Sequence, residues 1–420
     1  MNRTLGQYGF IGYGGRKRAK LTWPLVLVNM ALPSTFDTIV GDSVKMELKH
    51  QYVVSPHNVR PTSVCFIIRG ILGNAKTQLH VVDIELQANG RAVGPKRMDE
   101  GCRLIERSIK SSLPANTIVV VDTHADTLTG GLQWAGGTAS VRTAPVSDIL
   151  REFCGTAFFE RTKAAAETAR KAGAPDKQEW YTAAPFHRGG WRGLVLATCG
   201  PAMRQRDGFN DLKTLVERYD SSPPPLPATN HSPNGTIRDT FDFILGFGGS
   251  STISSQIKNM INQVIEAIGL DKTSNIWDSI ARVAGRDLNL LQMNSVILIY
   301  RERGATMEVK ARHIGLHCPP LRAFGVEFRA CATEGCRPSP YDFILRDNHS
   351  GIRMTCRLCK WRSASLKASD VQGLINRLSS TTPDVFWHEY PAGVDIQDVF
   401  VRVTKRKELE SAEAKKTARK

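Results

Sequence analysis

Missing from this chain are any apolar run of membrane-spanning length, any internal repeat, a matching stock of acids and an even complement of cysteines. The first absence argues against a helical membrane protein. Residues 24–32 are apolar and follow the basic stretch 16–20, which faintly imitates a signal peptide. Asn29 interrupts that run and no small-residue cleavage site follows, so it reads as a strand. The shortage of acids, 40 Asp and Glu against 56 Lys and Arg, leaves a net charge of +16 and a pI near 9.6. Such a balance suits a partner that carries negative charge, nucleic acid or an acidic surface, and says nothing about fold. Nine cysteines are an odd number, and four of them cluster towards the C-terminus at metal-like spacing. A disulfide frame is thereby disfavoured. The pattern fits a reducing compartment, cytoplasm or nucleus, with thiols used for chemistry or for zinc.

What is present is globular in composition, 41% apolar and 23% charged over 420 residues, enough for two or three domains with cores of their own. Residues 1–22 are rich in Gly, Arg and Lys and read as an arm; 23–60 add one or two strands of unassigned role. A regular α/β rhythm begins at Ser63, with strands expected over 63–69, 78–86, 117–124, 191–198 and 241–247. Helices are expected over 99–111, 147–154 (with Ser147 as N-cap), 157–172, 211–219 and 253–270. The helix over 157–172 is alanine-rich and charged and reads as solvated. Residues 221–234 hold five prolines and read as an extended, exposed loop. A hairpin is expected from 294–300 and 307–314. From Cys318 onward the chain turns Cys-, Arg- and Pro-rich. From 405 to 420 it holds seven basic and three acidic residues, a tail or frayed helix. The expected divisions are therefore 1–60, an α/β domain over 61–315, a Cys-rich module over 316–404, and a basic tail over 405–420.

Two of the buried strands end in reactive side chains. One reads Thr117-Ile118-Val119-Val120-Val121-Asp122-Thr123-His124 and the other Trp191-Arg192-Gly193-Leu194-Val195-Leu196-Ala197-Thr198-Cys199-Gly200. Unbroken β-branched runs of this kind suit a mainly parallel sheet covered on both faces, where ligands bind beyond the carboxyl ends of the strands. His124 and Cys199 could meet there as base and nucleophile, although a cysteine at a strand end is also an ordinary core residue. Asp122 and Asp126 beside His124 would orient it, bind a cation or serve as polar loop residues.

The order of elements around these two residues resembles caspase-like cysteine peptidases, most nearly the CHAT branch, over about residues 60–315. It runs helix, strand ending in His, loop, helix, strand ending in Cys-Gly, linker, strand ending in small residues, long helix. Ala197-Thr198-Cys199-Gly200-Pro201 stands where CHAT members often show Ala-Cys-x-Thr. His124-Ala125 replaces the common His-Gly. The stretch 246–255 (GFGGSSTISS) is similar to the small-residue segment that follows the cysteine strand in CHAT domains. The resemblance implies an α/β fold with a helix-flanked, mainly parallel sheet, acting as a cysteine endopeptidase on a protein or peptide substrate, or as a catalytically degenerate relative. It also implies His124 as base, Cys199 as nucleophile and the backbone N–H groups of Cys199 and Gly200 as an oxyanion hole. The loop at 221–234 falls where related enzymes often carry a processing linker.

Cys331-x4-Cys336 and Cys356-x2-Cys359, separated by 19 residues, are two knuckle-like pairs that suit a tetrahedral structural Zn2+ in a zinc-ribbon-like module. Free thiols, or a set drawing on His317, Cys318 or His349, are the alternatives. Arg353, Arg357, Lys360, Trp361 and Arg362 surround the second knuckle. Basic side chains interleaved with a tryptophan suit nucleic-acid contact, and equally a solvated face. A second functional reading follows: a non-enzymatic nucleic-acid-binding or chromatin-associated zinc protein.

Overall fold

A computed structural model describes residues 24–32, 79–110, 114–135, 141–173, 189–218, 237–249, 254–269, 275–301, 308–318, 322–327, 331, 333–336, 342–348, 351–371, 373–391 and 396–417. In chain order the strands are β1 (Leu25–Ala31), β2 (Leu79–Glu85), β3 (Asn116–Asp122), β4 (Leu132–Ala135), β5 (Arg142–Ala144), β6 (Arg192–Leu196) and β7 (Phe243–Phe247). They continue with β8 (Val296–Arg301), β9 (Val309–Leu316), β10 (Arg322–Ala323), β11 (Val326–Glu327), β12 (Phe343–Asn348), β13 (Gly351–Cys356), β14 (Asn376–Ser379) and β15 (Thr382–Glu389). The helices are α1 (Ala88–Lys110), α2 (Val146–Cys154), α3 (Thr156–Gly173), α4 (Pro201–Arg204), α5 (Arg206–Val216), α6 (Ser254–Gly269), α7 (Ile276–Arg286), α8 (Leu288–Met293) and α9 (Ile396–Thr417).

Nine strands form one sheet in the order β14-β15-β9-β8-β7-β6-β3-β1-β2. From β2 to β7 every neighbouring pair is parallel; β7-β8, β8-β9, β9-β15 and β15-β14 are antiparallel. The central strands are apolar on both faces because both faces are covered. Val26, Val28 and Met30 of β1 join a core with α1, α2, α3 and α5, while Leu25 and Leu27 join the opposite core with α6, α7 and α8. A strand sandwiched in this way has no solvent face, hence no alternation in its sequence. The α/β architecture, with a large, mainly parallel sheet flanked by helices, is as the sequence leads one to expect.

The division at residue 60 does not hold. Leu25–Ala31 pairs with both β2 and β3 along its whole length, so it is a central strand of the α/β sheet. At the other end, β14 and β15 leave the Cys-rich module and extend the same sheet beyond β9. Ser147 is no N-cap: Pro145 holds that position, and Ser147, inside α2, bonds Asp211 of α5 through its hydroxyl (2.5 Å) and its N–H (3.1 Å). Helix α3 is not simply solvated, since Phe158, Phe159, Ala165, Ala166 and Ala169 are buried. Residues 405–417 continue α9, whose Phe400 and Val403 enter the core of the Cys-rich module. The strand expected over 63–69, the part of 23–60 that follows residue 32, and the proline-rich loop lie outside the described residues.

At the amino ends of β6 and β7 lies a buried ionic cluster. Arg192 Nη2 contacts Asp239 Oδ1 (2.8 Å) and Asp242 Oδ1 (2.9 Å); Arg301 Nη2 contacts the same two oxygens at 2.8 and 3.2 Å. Burial alone would raise Asp239, but the Arg192 and Arg301 guanidiniums outweigh it and hold the carboxyl below the usual carboxylate range. On β6 the cluster and Cys199 lie at opposite ends, with Arg192 opening the strand and Cys199 following it.

Candidate functional site

Parallel strands β3 and β6 pair from Thr117↔Arg192 to Val121↔Leu196, and the Ala197 N–H still donates to the Val121 carbonyl at 2.9 Å. His124 and Cys199 each follow three residues beyond the last of these pairs. Two neighbouring strands lie about 4.8 Å apart, so both residues leave the sheet at the same edge from adjacent positions. His124 is exposed and Cys199 half-buried.

The loops that carry them are fastened to each other. Asp126 accepts from the N–H groups of Leu128 (3.0 Å) and Thr129 (2.7 Å) and from the Thr129 hydroxyl (2.9 Å). Those bonds from Thr129 hold its carboxyl below the usual range. Asp126 is therefore a turn former, in keeping with the polar loop residue the sequence allows. The turn brings Gly130, at φ +75°, against the Cys199 side: a Cβ there would stand 2.8 Å from the Pro201 carbonyl oxygen. Gln205 reaches back to donate to the Thr127 carbonyl at 2.7 Å. The sequence shows the paired Gly130-Gly131 but not this partner, because Gln205 carries no local signal.

A third loop, after β7, closes the edge. The Gly200 N–H donates to the Gly249 carbonyl at 2.8 Å, and a Cβ on Gly200 would lie 2.7 Å from the carbonyl oxygens of both Gly248 and Gly249. Only glycine fits, which accounts for Cys199-Gly200. The same bond removes the Gly200 N–H from the expected oxyanion pair: the donor faces Gly249 rather than open space. Among the described residues the Cys199 N–H has no backbone or side-chain acceptor. Behind the cysteine, the Tyr390 hydroxyl donates to the Met203 carbonyl at 3.1 Å, so the segment after β15 supports α4. A partner 187 positions away leaves no trace in local sequence.

The other thiols differ. Cys154 is fully buried beside Met30, and burial pushes its thiol up; Cys102, also buried, is raised for the same reason. Cys65 lies outside the described residues.

The second site is the cysteine cluster. Sulfurs of Cys331, Cys336, Cys356 and Cys359 all lie within 4.8 Å of one another, so these four could hold a metal ion. Cys331–Cys359 and Cys336–Cys356 are 3.3 and 3.8 Å apart, far beyond a disulfide bond. Cys356 ends β13, and the turn after it presents Cys359. Opposite, the Cys336 N–H closes a turn on the Thr333 carbonyl (3.1 Å). Desolvation, then the neighbouring Cys356 and Cys359 thiols, push Cys336 up to about 12, while the Thr333 hydroxyl draws Cys359 down to about 6. His317 is excluded from the set: its Nε2 meets Asp347 (3.2 Å) and its Nδ1 accepts from the Phe324 N–H (3.1 Å). Cys318 stays outside the cluster, and His349 lies outside the described residues.

Of the basic residues around the second knuckle, Arg353, Arg357, Lys360 and Arg362 are exposed. Trp361 is half-buried against the module's small core, which makes it part anchor, part surface. Among the described residues no helix is long and apolar enough to cross a membrane. No family model matches the chain, and no curated protein matches it in sequence.

Proposed function

We propose that the chain is a cysteine endopeptidase of caspase-like architecture, with Cys199 as nucleophile and His124 as its base. The observation that carries this reading is the equal offset of the two residues beyond adjacent, in-register parallel strands, on loops pinned together by Gln205 and Gly130. The chemistry follows from those two groups. His124 takes the Cys199 proton, and the thiolate sulfur attacks a peptide carbonyl carbon. The Cys199 N–H, which has no acceptor among the described residues, would receive the developing oxyanion. The C–N bond then breaks as the imidazolium returns its proton to the departing amine, leaving a thioester that water hydrolyses to acid and free thiol.

The cysteine cluster is read as a structural Zn2+ site in a zinc-ribbon-like module. Four thiolates at about 2.3 Å from a tetrahedral zinc stand about 3.8 Å from each other, and the sulfur separations of 3.3 and 3.8 Å need little adjustment to reach that. The ion would tie the β12–β13 hairpin to the 331–336 turn. It has no part in the proposed hydrolysis.

Cleavage of a fluorogenic peptide library by the full chain tests the peptidase reading. Turnover that disappears in Cys199→Ala and falls by about 10³-fold or more in His124→Ala is expected. No turnover across the library, or turnover that survives Cys199→Ala, refutes it.

A further inference from the structure

On the hairpin β12–β13, burial alternates from Phe343 to Arg346 and again from Gly351 to Cys356. Phe343, Leu345, Ile352 and Met354 face the core of the module, so Arg346 and Arg353 face outward, and both are exposed. They are direct cross-strand partners in the register. Like charges placed opposite each other in an antiparallel pair destabilise it. Arg362 extends the row: it bridges Thr355, two residues from Arg353 on the same face of β13. Arg357 and Lys360 follow at the turn between Cys356 and Cys359, both exposed. Among the described residues none of these five cations has a carboxylate within ion-pair distance. Asp347, next to Arg346, is turned to His317 instead. An array of five cations over a hairpin and its turn, unrelieved by acids, is a poor self-contained surface.

We infer that this outer face of the Cys-clustered hairpin binds the phosphodiester backbone of a nucleic acid. Three features select that partner. Cationic side chains on neighbouring strands repeat at about 5 Å, a grid for a polymer of closely spaced charges rather than for one carboxylate. Four of the five are arginines, whose planar fork matches phosphate oxygens two at a time. A two-stranded ribbon is also an element that a nucleic-acid groove can admit. The four-cysteine cluster holds the ribbon's end in place, and the face is independent of Cys199 and His124.

Fluorescence anisotropy on the full, zinc-loaded chain tests the inference, using labelled single-stranded RNA, single-stranded DNA and duplex DNA between about 50 and 200 mM salt. Arg346→Ser/Arg353→Ser/Arg362→Ser is expected to weaken binding about tenfold or more and to reduce the slope of log K against log salt by about 2 to 3. Unchanged zinc content shows that the module has kept its fold, and Arg357→Ser/Lys360→Ser, on the turn, provides a second, smaller loss. The same charge removal on α7, Arg282→Ser/Arg286→Ser, is expected to leave binding intact. Wild-type affinity and slope in the triple variant overturn the inference. So does an equal loss in the α7 variant, or anionic vesicles competing as well as the oligonucleotides. The ratio among the three oligonucleotides tells RNA from DNA.

Discussion

Replacing Asp242 by Ala should unfold much of what holds β6, β7 and β8 together. Asp242 accepts from Arg192 Nη2 (2.9 Å), Arg301 Nη2 (3.2 Å) and the Arg192 backbone N–H (3.0 Å), and all these groups are buried. Removing one partner from a buried ion cluster leaves uncompensated charge and costs about 3–5 kcal/mol. Here two guanidiniums would be left with Asp239 alone, which places the effect towards the upper end. Against a total stability of about 5–15 kcal/mol that is a large fraction. Urea unfolding followed by tryptophan fluorescence is a suitable assay, because Trp191 is buried immediately before Arg192. The charge-balanced pair Asp242→Leu/Arg301→Leu should recover much of the loss, since burying apolar groups in place of an ion pair is often neutral. A cost below about 1 kcal/mol for Asp242→Ala, the size of an exposed pair, refutes the reasoning. So does a double variant as unstable as the single one.

Gly200→Ala forces the Cys199 turn away from the Gly248 and Gly249 carbonyls; peptide turnover should fall by about 10²-fold while the folded state persists, as steady-state kinetics and circular dichroism would show. Cys356→Ser, or a strong chelator, should abolish bound zinc and loosen the module, read as loss of metal by atomic absorption and as faster hydrogen exchange over 343–356. His313 and His388 stack across β9 and β15 with ring centroids 4.7 Å apart. Burial lowers both imidazoles; the neighbouring His388 and the cations Arg204 and Arg322 lower His313 further, while Glu389 opposes the shift at His388. The fold therefore prefers both rings neutral. Their contribution is complete above the unfolded value of about 6.5 and is lost as pH falls below it, by about 1.4 kcal/mol per pH unit for each ring. Denaturation midpoints compared at about pH 7.5 and 5.5 should show that slope, and His313→Phe/His388→Phe should flatten it.

The sandwiched strands are legible in the sequence for a simple reason. β1, β3, β6, β7 and β8 are buried on both faces, so each reads as an apolar run without period-two alternation, interrupted inside the strand by Asn29 in β1 and Gly246 in β7. The two reactive residues could be placed at strand ends by the same token. Less is visible where burial is one-sided or partners are distant. β14 and β15 carry mixed exposure along their length, and their few apolar residues gave no hint that they belong to the main sheet. Helix α1 starts eleven residues before the expected position 99, because Gly94 and Pro95 conceal its first turns. The four cysteines were readable from spacing alone, since two short loops supply all four sulfurs. The bond that takes up the Gly200 N–H comes from Gly249, on the loop after the neighbouring strand β7, and no spacing rule contains it.

The convergence of His124 and Cys199 is tested most directly by treating the full chain with electrophilic peptidyl ketones and mapping the adduct by mass spectrometry. The account predicts a thioether on Cys199 that forms slowly or not at all in His124→Ala, with Cys102 and Cys154 untouched. Labelling that spares Cys199, or that proceeds equally fast without the imidazole, would contradict it.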